Sequence, residues 1–358
     1  MAIHMMTGFE GCDDATECLA ILNAYTYYSQ YGGFYGGNGY GYNGSRGIRL
    51  SHTFSSYTDR GIRILCLLPT TLVGKTVAVG SHYYTQHTGY NTNYYGAGAI
   101  FAFHGPDIRI YNDGNRFIIH RGTTYIAQSP EGTGFGVDQW HHVEVLLFSD
   151  ASAGAVTIKL DGVEVYAGTG LNTGGADITG VRLSSAYYVN IYAQYDNIYF
   201  ADELQGILNM VLKRPNGDYD ASDFTCSSGT DRYALIDEDY DGDASYIESS
   251  TVGHKAVFDY EDYTGSGDIV AVQVNTVAKV TDAGSRTIQH LYVQNSTEYL
   301  GSGDLDSSAD EGFELTSAYP GQGVTEPPYF EVLNTQPDGT AWNTADFNAL
   351  KIGVEVTA

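Results

Sequence analysis

Between residues 237 and 248 the chain sets Asp237, Asp239 and Asp241 at alternate positions, follows them with Gly242 and Asp243, and reaches Glu248 at the twelfth place. That is the spacing of a calcium-binding loop, in which carboxylate oxygens converge on the ion and the glycine permits the turn. The flanking stretches YALID (233–237) and SYIESST (245–251) read as strands, where a calcium loop of this kind has helices. Two readings stand: a turn between strands that takes Ca2+ as its cofactor, or a solvated acidic turn.

A second kind of chemistry is offered by aromatic and amide side chains. The run HYYTQHTGYNTNYYGAG (82–98) gathers Tyr83, Tyr84, Tyr90, Asn91, Asn93, Tyr94 and Tyr95, and AYTYYSQYGGFYGGNGYGYNGSRGIRL (24–50) contributes Tyr31, Tyr35 and Tyr40. Tyrosine presents an apolar ring with a polar tip, which suits contact with a sugar or a protein partner. The first segment reads equally as a self-packed entry into a sheet, with its glycines opening left-handed backbone conformations.

Other chemistries lack their residues. Hydrolysis of glycosides needs two carboxylates facing each other across a groove, and neither Glu144 nor Glu164 has a partner at a suitable spacing. His141 and His142 are adjacent on a strand, so they point to opposite faces and do not bind one metal together. His82 and His87 read as surface or contact residues. Neither a G-x-S-x-G elbow nor a phosphate-binding G-x-x-x-x-G-K-[ST] loop occurs. Cys12, Cys18, Cys66 and Cys226 are too sparse for a disulfide framework or a metal pattern, and free thiols are expected. No enzymatic activity is expected.

The elements that must position these residues are strands. Gly (44) and Tyr (31) are abundant while only 17% of the 358 residues are charged, a composition of turns and β-formers. Short strands follow one another from residue 47 to 203, with no convincing amphipathic helix between them. Asp161-Gly162 marks a tight hairpin between AVTIKL and VEVYAG, and in WHHVEVLLF (140–148) Val143, Val145 and Leu147 alternate against His142 and Glu144. The texture changes over 204–230, where Pro215-Asn216-Gly217 interrupts a polar stretch. A second strand series runs from 231 to 358, with Asp282-Ala283-Gly284 as a hairpin loop. One short helix is predicted at 343–350, capped by Asn343 or Thr344. The expected organisation is a sandwich over 1–203, a junction over 204–230 and a smaller sandwich over 231–358.

Charge limits the partners. Forty-three acidic residues against 17 basic ones give −26, which repels phosphate backbones and disfavours nucleic acid. No window approaches the roughly 18 apolar residues of a membrane span. The opening MAIHMMTGFEGCDD shows no secretory signal, so synthesis in the cytoplasm is expected.

The first block resembles the concanavalin A-like, or laminin-G-like, jelly-roll superfamily. The resemblance is carried by Gly8-Phe9-Glu10, by the series Gly136 to Val145 entered through Trp140-x-x-Val143, by the Ile158-Lys159-Leu160-Asp161-Gly162 hairpin, and by Asp196-Asn197-Ile198 in a closing strand. The second block is similar to the C-terminal half of virion structural proteins of tailed bacteriophages, through residues 231–238, 249–253, 258–262, 272–275 and 342–356. The resemblance implies an all-β protein with an N-terminal concanavalin A-like jelly-roll sandwich and a second, smaller β-sandwich. It implies a non-catalytic part of the virion (head decoration, neck, tail or fibre) that docks on other virion proteins as a homo-oligomer. The aromatic segments suggest an alternative: a lectin-like module that recognises host surface glycan.

Overall fold

The computed structural model describes residues 2–9, 24–27, 32–52, 63–70, 72–86, 99–184, 191–237, 244–278, 287–306 and 329–357. By internal contacts the chain divides into two units, Met1–Val211 with Leu315–Pro327, and Leu212–Glu314 with Pro328–Ala358. Both are almost entirely β, the only α-helix among the described residues being α1 (Thr344–Ala349).

The described residues of the N-terminal unit form fifteen strands: β1 (Ile3–Thr7), β2 (Ala24–Tyr27), β3 (Gly32–Asn38), β4 (Arg46–His52), β5 (Arg63–Leu67), β6 (Thr76–Thr85), β7 (Phe101–His104), β8 (Ile108–Asn112), β9 (Phe117–Arg121), β10 (Thr124–Gln128), β11 (Trp140–Phe148), β12 (Gly154–Leu160), β13 (Val163–Leu171), β14 (Gly180–Ser184) and β15 (Ile191–Ala201). They form two antiparallel sheets. One runs β13-β12-β11-β6-β15-β4-β3 with β1 also on β15, and the other runs β10-β9-β8-β7-β14-β5-β2. Neighbours distant in sequence and wholly antiparallel pairing make this a jelly-roll sandwich.

Alternation decides what lies between the sheets. On β6 and β11, Val77, Val79, Tyr83, Val143, Val145 and Leu147 are buried and face the second sheet's Phe101, Phe103 and Phe117 layer. Tyr195 ties the two sheets: its hydroxyl donates toward the Ile100 and Ser184 carbonyls, both at 2.9 Å, and accepts the Ser184 N–H at 3.2 Å. Replacing Tyr195 by Phe leaves these buried groups unpaired. The expected result is a loss of roughly 1–3 kcal/mol in urea-unfolding stability with the fold retained.

The Asp-Gly hairpin forms as its sequence requires, Asp161 at φ 50° and Gly162 at φ 80°. The Asp161 carboxylate also grips the neighbouring strand, accepting the His142 N–H at 2.8 Å and meeting His141 Nδ1 at 2.8 Å. The Trp140-x-x-Val143 strand and the Leu160-Asp161-Gly162 turn are thus a single hydrogen-bonded piece.

The C-terminal unit contains β16 (Pro215–Asp220), β17 (Thr225–Cys226), β18 (Ile247–Glu248), β19 (Lys255–Tyr260), β20 (Val272–Thr276), β21 (Thr287–Gln294), β22 (Thr297–Asp306), β23 (Tyr329–Leu333) and β24 (Lys351–Val356). A five-stranded sheet, β16-β19-β24-β21-β22, has one face covered by the pairs β17–β18 and β20–β23. Phe224, Ala256, Phe258 and Val356 pack at one end of that face, and Val274, Tyr292, Leu350 and Ile352 at the other. Helix α1 is capped by Asn343, whose Oδ1 accepts the Asp346 N–H at 2.9 Å.

One local expectation changes. YALID is not a strand; Tyr233–Leu235 form a 3-10 turn. Asp282-Ala283-Gly284 lies outside the described residues; of the described strands before and after it, β20 pairs with β23, while β21 lies between β24 and β22. Within 204–230 the division between the units falls at Val211/Leu212, and β16 pairs with β19 inside the second unit.

Candidate functional site

The outward face of the first sheet carries an ordered array of polar and aromatic groups. Strand register builds it. Arg49 on β4 lies opposite Gln194 on β15, Gln194 opposite Tyr84 on β6, and Tyr84 opposite Trp140 on β11. One step along the strands a second row follows, Asp196, His82 and His142, and beyond it a third, Tyr199, Gly80 and Glu144. Residues two apart along each strand share this face because the side-chain period is two.

The first row is a half-buried aromatic platform. The Tyr84 ring lies 5.9 Å from Tyr192 in near-parallel stacking and 5.6 Å from Trp140. The Arg49 guanidinium carbon sits 3.6 Å from the centre of the Tyr192 ring and 5.7 Å from that of Tyr40. Tyr84 donates its hydroxyl to Asp138 at 3.0 Å. Burial, then this hydrogen bond, holds the phenol well above its usual range.

The second row is enclosed. His82 and His142 are 3% and 2% exposed, their rings 5.0 Å apart, and Tyr42 stacks on His82 at 4.2 Å. Burial lowers both imidazoles to about 4, with the neighbouring ring adding to the effect on His82 and the Asp161 carboxylate opposing it in both. Asp196 holds the covering turn, its Oδ2 accepting from Tyr42 N–H and Ser45 Oγ, both at 2.8 Å.

Asn197 follows at φ 49°, where β15 carries an extra residue between the pairs Asp196–His82 and Tyr199–Gly80. That bulge is the structural content of the Asp-Asn-Ile motif: it turns Asn197 so that its Oδ1 accepts the Met210 N–H at 2.9 Å.

The third row is sealed by residues 205–210 of the same unit. Glu144 accepts the Gly206 N–H at 2.7 Å and the Tyr199 hydroxyl, which itself accepts the Gln205 N–H at 3.1 Å. Burial, followed by the Glu144 carboxylate, drives the Tyr199 phenol far above its usual range. Gly80 is required beneath this contact, since a Cβ there would meet the Tyr199 ring at 2.2 Å.

The second unit has a buried polar clamp of its own. Glu331 on β23 accepts from Tyr292 (2.7 Å), from the Ser302 N–H (2.7 Å) and from His290 Nδ1 (3.2 Å), while His290 Nε2 meets Thr276 Oγ1 at 2.9 Å. Burial alone would raise the carboxyl; the hydrogen bonds from His290, Ser302 and Tyr292 outweigh it and bring it to about 2. Threonine, histidine and glutamate have the connectivity of a nucleophile, base and orienting acid. Yet His290 is 1% exposed and the carboxylate is committed to donors on β21 and β22, so the cluster ties the β20–β23 pair to the main sheet.

The sequence-predicted site residues scatter. Tyr84 and Tyr40 stand at the first row, and Tyr35 lies opposite Arg49 in the β3–β4 register. Tyr83 is a correction: at 3% exposed it faces the sandwich interior, packing on Phe135 and Tyr195, because it alternates with Tyr84. His82 is likewise no surface residue. Tyr31, Tyr90, Asn91, Asn93, Tyr94 and Tyr95 lie outside the described residues, as do His87, Cys12 and Cys18.

The acidic loop is represented only by its ends. The Asp237 carbonyl accepts from Arg214, and Glu248 pairs with Thr225 in β18; Asp239, Asp241 and Asp243 lie outside the described residues. No group of three metal-ligating side chains gathers among the described residues. The array itself was missed in Arg49, Tyr42, Trp140, Tyr192 and Gln194. The available signal was the alternation Tyr192, Gln194, Asp196 along one strand.

No protein-family model and no curated protein matches the chain. Among solved structures it is similar to a sialidase (12% identity, TM-score 0.39, 56% of this chain and 18% of that one). It is also similar to the catalytic domain of a glycoside hydrolase family 131 protein from Coprinopsis cinerea (12%, 0.36, 57% and 97%) and to lectin I from Ulex europaeus in complex with the methyl glycoside of alpha-L-fucose (11%, 0.29, 49% and 96%). The chain thus spans under a fifth of the sialidase. The fold assignment rests on the strand order and burial given above.

Proposed function

We propose that the N-terminal sandwich is a non-catalytic glycan-binding module whose contact surface is the row Arg49, Gln194, Tyr84 and Trp140, with Tyr192 and Tyr40 beside it. The single observation that carries this is the stacked, half-buried series of rings with an amide and a guanidinium in register. Sugars present apolar ring faces and hydroxyl edges, and such a row offers a partner for each. Of the acids around it, the exposed Asp138 accepts the Tyr84 hydroxyl, Asp196 is engaged by Tyr42 and Ser45, and Glu144 is fully buried beneath residues 205–206. A glycan array is the test. Wild-type protein binds a subset of surface glycans, and Tyr84→Ala weakens that binding at least about tenfold, the equivalent of roughly 1.4 kcal/mol. Binding by no glycan, or binding indifferent to Tyr84, refutes the proposal.

The likeness of residues 231–238, 249–253, 258–262, 272–275 and 342–356 to tailed-phage virion proteins favours a setting for this module. We propose that the chain is a structural component of a virion, docked on other virion proteins in homo-oligomeric form. Mass spectrometry of purified particles tests this directly: the chain is present at a stoichiometry matching a symmetric position, or the assembly role is wrong.

A further inference from the structure

Arg49 differs from Arg109 and Arg116 of its unit, and from Arg121, which meets the Asn172 amide, in having a buried Nε without a partner. Arg109 pairs with Asp107 at 2.8 Å, and Arg116 with Asp113 and Glu131. Arg49 has no carboxylate within ion-pair distance among the described residues, and its Nε is buried without a hydrogen-bond partner. In a chain with 43 acidic and 17 basic residues, a lack of available acids does not explain this. Leaving a partly buried guanidinium unpaired is unfavourable, and folding ordinarily places a carboxylate there. Here the cation is instead held between the rings of Tyr192 and Tyr40, at 3.6 Å and 5.7 Å from their centres. Stacking fixes the plane of the guanidinium and uses its faces, so the N–H edge remains the part that can recognise a ligand.

That edge lies in register with Gln194 and Tyr84, at one end of the aromatic row. We infer that the ligand of this face is a carboxylated glycan, a chain of uronate sugars, whose carboxylate pairs with Arg49 while neighbouring rings stack on Tyr84 and Tyr192. The inference rests on the glycan-binding reading and specifies its substrate class. A planar carboxylate matches the two-pronged guanidinium edge, and such charge-assisted pairs are about twice as strong as neutral hydrogen bonds. The net charge of −26 favours sparsely charged uronates over densely sulfated polymers, whose repulsion from the remaining surface is greater.

The experiment compares oligogalacturonate and oligoglucuronate with their methyl esters and with the corresponding neutral oligosaccharides, by isothermal titration on the full chain. Wild-type protein is expected to bind at least one free acid about tenfold or more tightly than its ester. Arg49→Gln should weaken binding of the acid about tenfold more than binding of the ester, closing the gap between the two, while Arg49→Lys restores part of the difference. Circular dichroism and thermal melting of each variant separate loss of the fold from loss of the contact. Equal affinity for acid and ester, or equal weakening of both by Arg49→Gln, overturns the inference. Binding of neutral sugars alone overturns it while the glycan-binding reading survives. Failure of every sugar to bind removes both.

Discussion

Acidification from pH 7 to pH 4 destabilises the N-terminal unit well before the C-terminal one. His82 and His142 are the main reason, and the buried His120 of the same unit is shifted in the same direction. In the unfolded chain the imidazoles of His82 and His142 take up protons near the ordinary value of 6.5, whereas in the fold burial holds both down to about 4. A group whose folded value is depressed in this way costs nothing above pH 6.5. Below it the unfolded state binds more protons, and stability falls until the folded form also protonates near pH 4. Each histidine accounts for roughly 3 kcal/mol, and the two together for about 5 because they share one cavity.

The chain contains two tryptophans, and each reports on one unit: Trp140 beside the histidine row, and Trp342, whose indole donates to the Leu333 carbonyl at 3.1 Å. In a Trp342→Phe background, Trp140 fluorescence should show the urea midpoint falling between pH 6.5 and 4. His82→Gln/His142→Gln should flatten that fall. Identical slopes in the two proteins would assign the acid sensitivity elsewhere.

The C-terminal unit loses stability in the same direction but in a lower pH window. Glu331, held near 2 by its donors, contributes stability that is present above the ordinary carboxyl value of 4.5 and is lost as the pH falls through 2. Its window therefore opens where that of the histidines closes. Glu331→Gln removes the charge and leaves one oxygen for donors from Tyr292, Ser302 and His290, which required two. The expected cost is roughly 3 kcal/mol, or about 10 °C in the melting temperature of that unit, read by Trp342 in a Trp140→Phe background. The variant should also lose less stability than the wild type as the pH falls from 4.5 to 2.5. A change below about 0.5 kcal/mol would mean that the β20–β23 pair is held by the Val272, Val274 and Leu333 packing alone.

What the sequence disclosed, and what it withheld, follows from the range of the forces involved. Local signals were legible. The Asp161-Gly162 turn, the Asn343 cap and the alternation of Val143, Val145 and Leu147 are each decided within a few residues, and each occurs where its pattern places it. The Asp196-Asn197 pair was visible as a motif, but its physical role as a bulge appears only when β6 lies beside it.

The candidate site was harder to read for the same reason. Arg49, Tyr84, Trp140 and Gln194 come from strands up to 145 residues apart, and only their register makes them one row. A shift of one residue on β6 would exchange Tyr84 for Tyr83 and dissolve it. Composition drew attention to tyrosines in continuous runs, whereas the fold sends alternate members to opposite faces. Tyr83 went to the core for that reason. The strand reading of YALID failed differently: Arg232 N–H and Tyr233 N–H both go to the Asp218 carboxylate, which closes a turn where the apolar pattern suggested extension.

The central claim, that the outward aromatic row is a sugar-contact surface, is tested most directly at Trp140. In the Trp342→Phe variant every indole photon comes from the end of that row, 5.6 Å from Tyr84. Titration with glycans selected on the array should produce a saturable shift in Trp140 emission, abolished by Tyr84→Ala with the fold intact. A glycan that binds with unchanged Trp140 emission and undiminished affinity in Tyr84→Ala would place the binding site elsewhere and contradict the account.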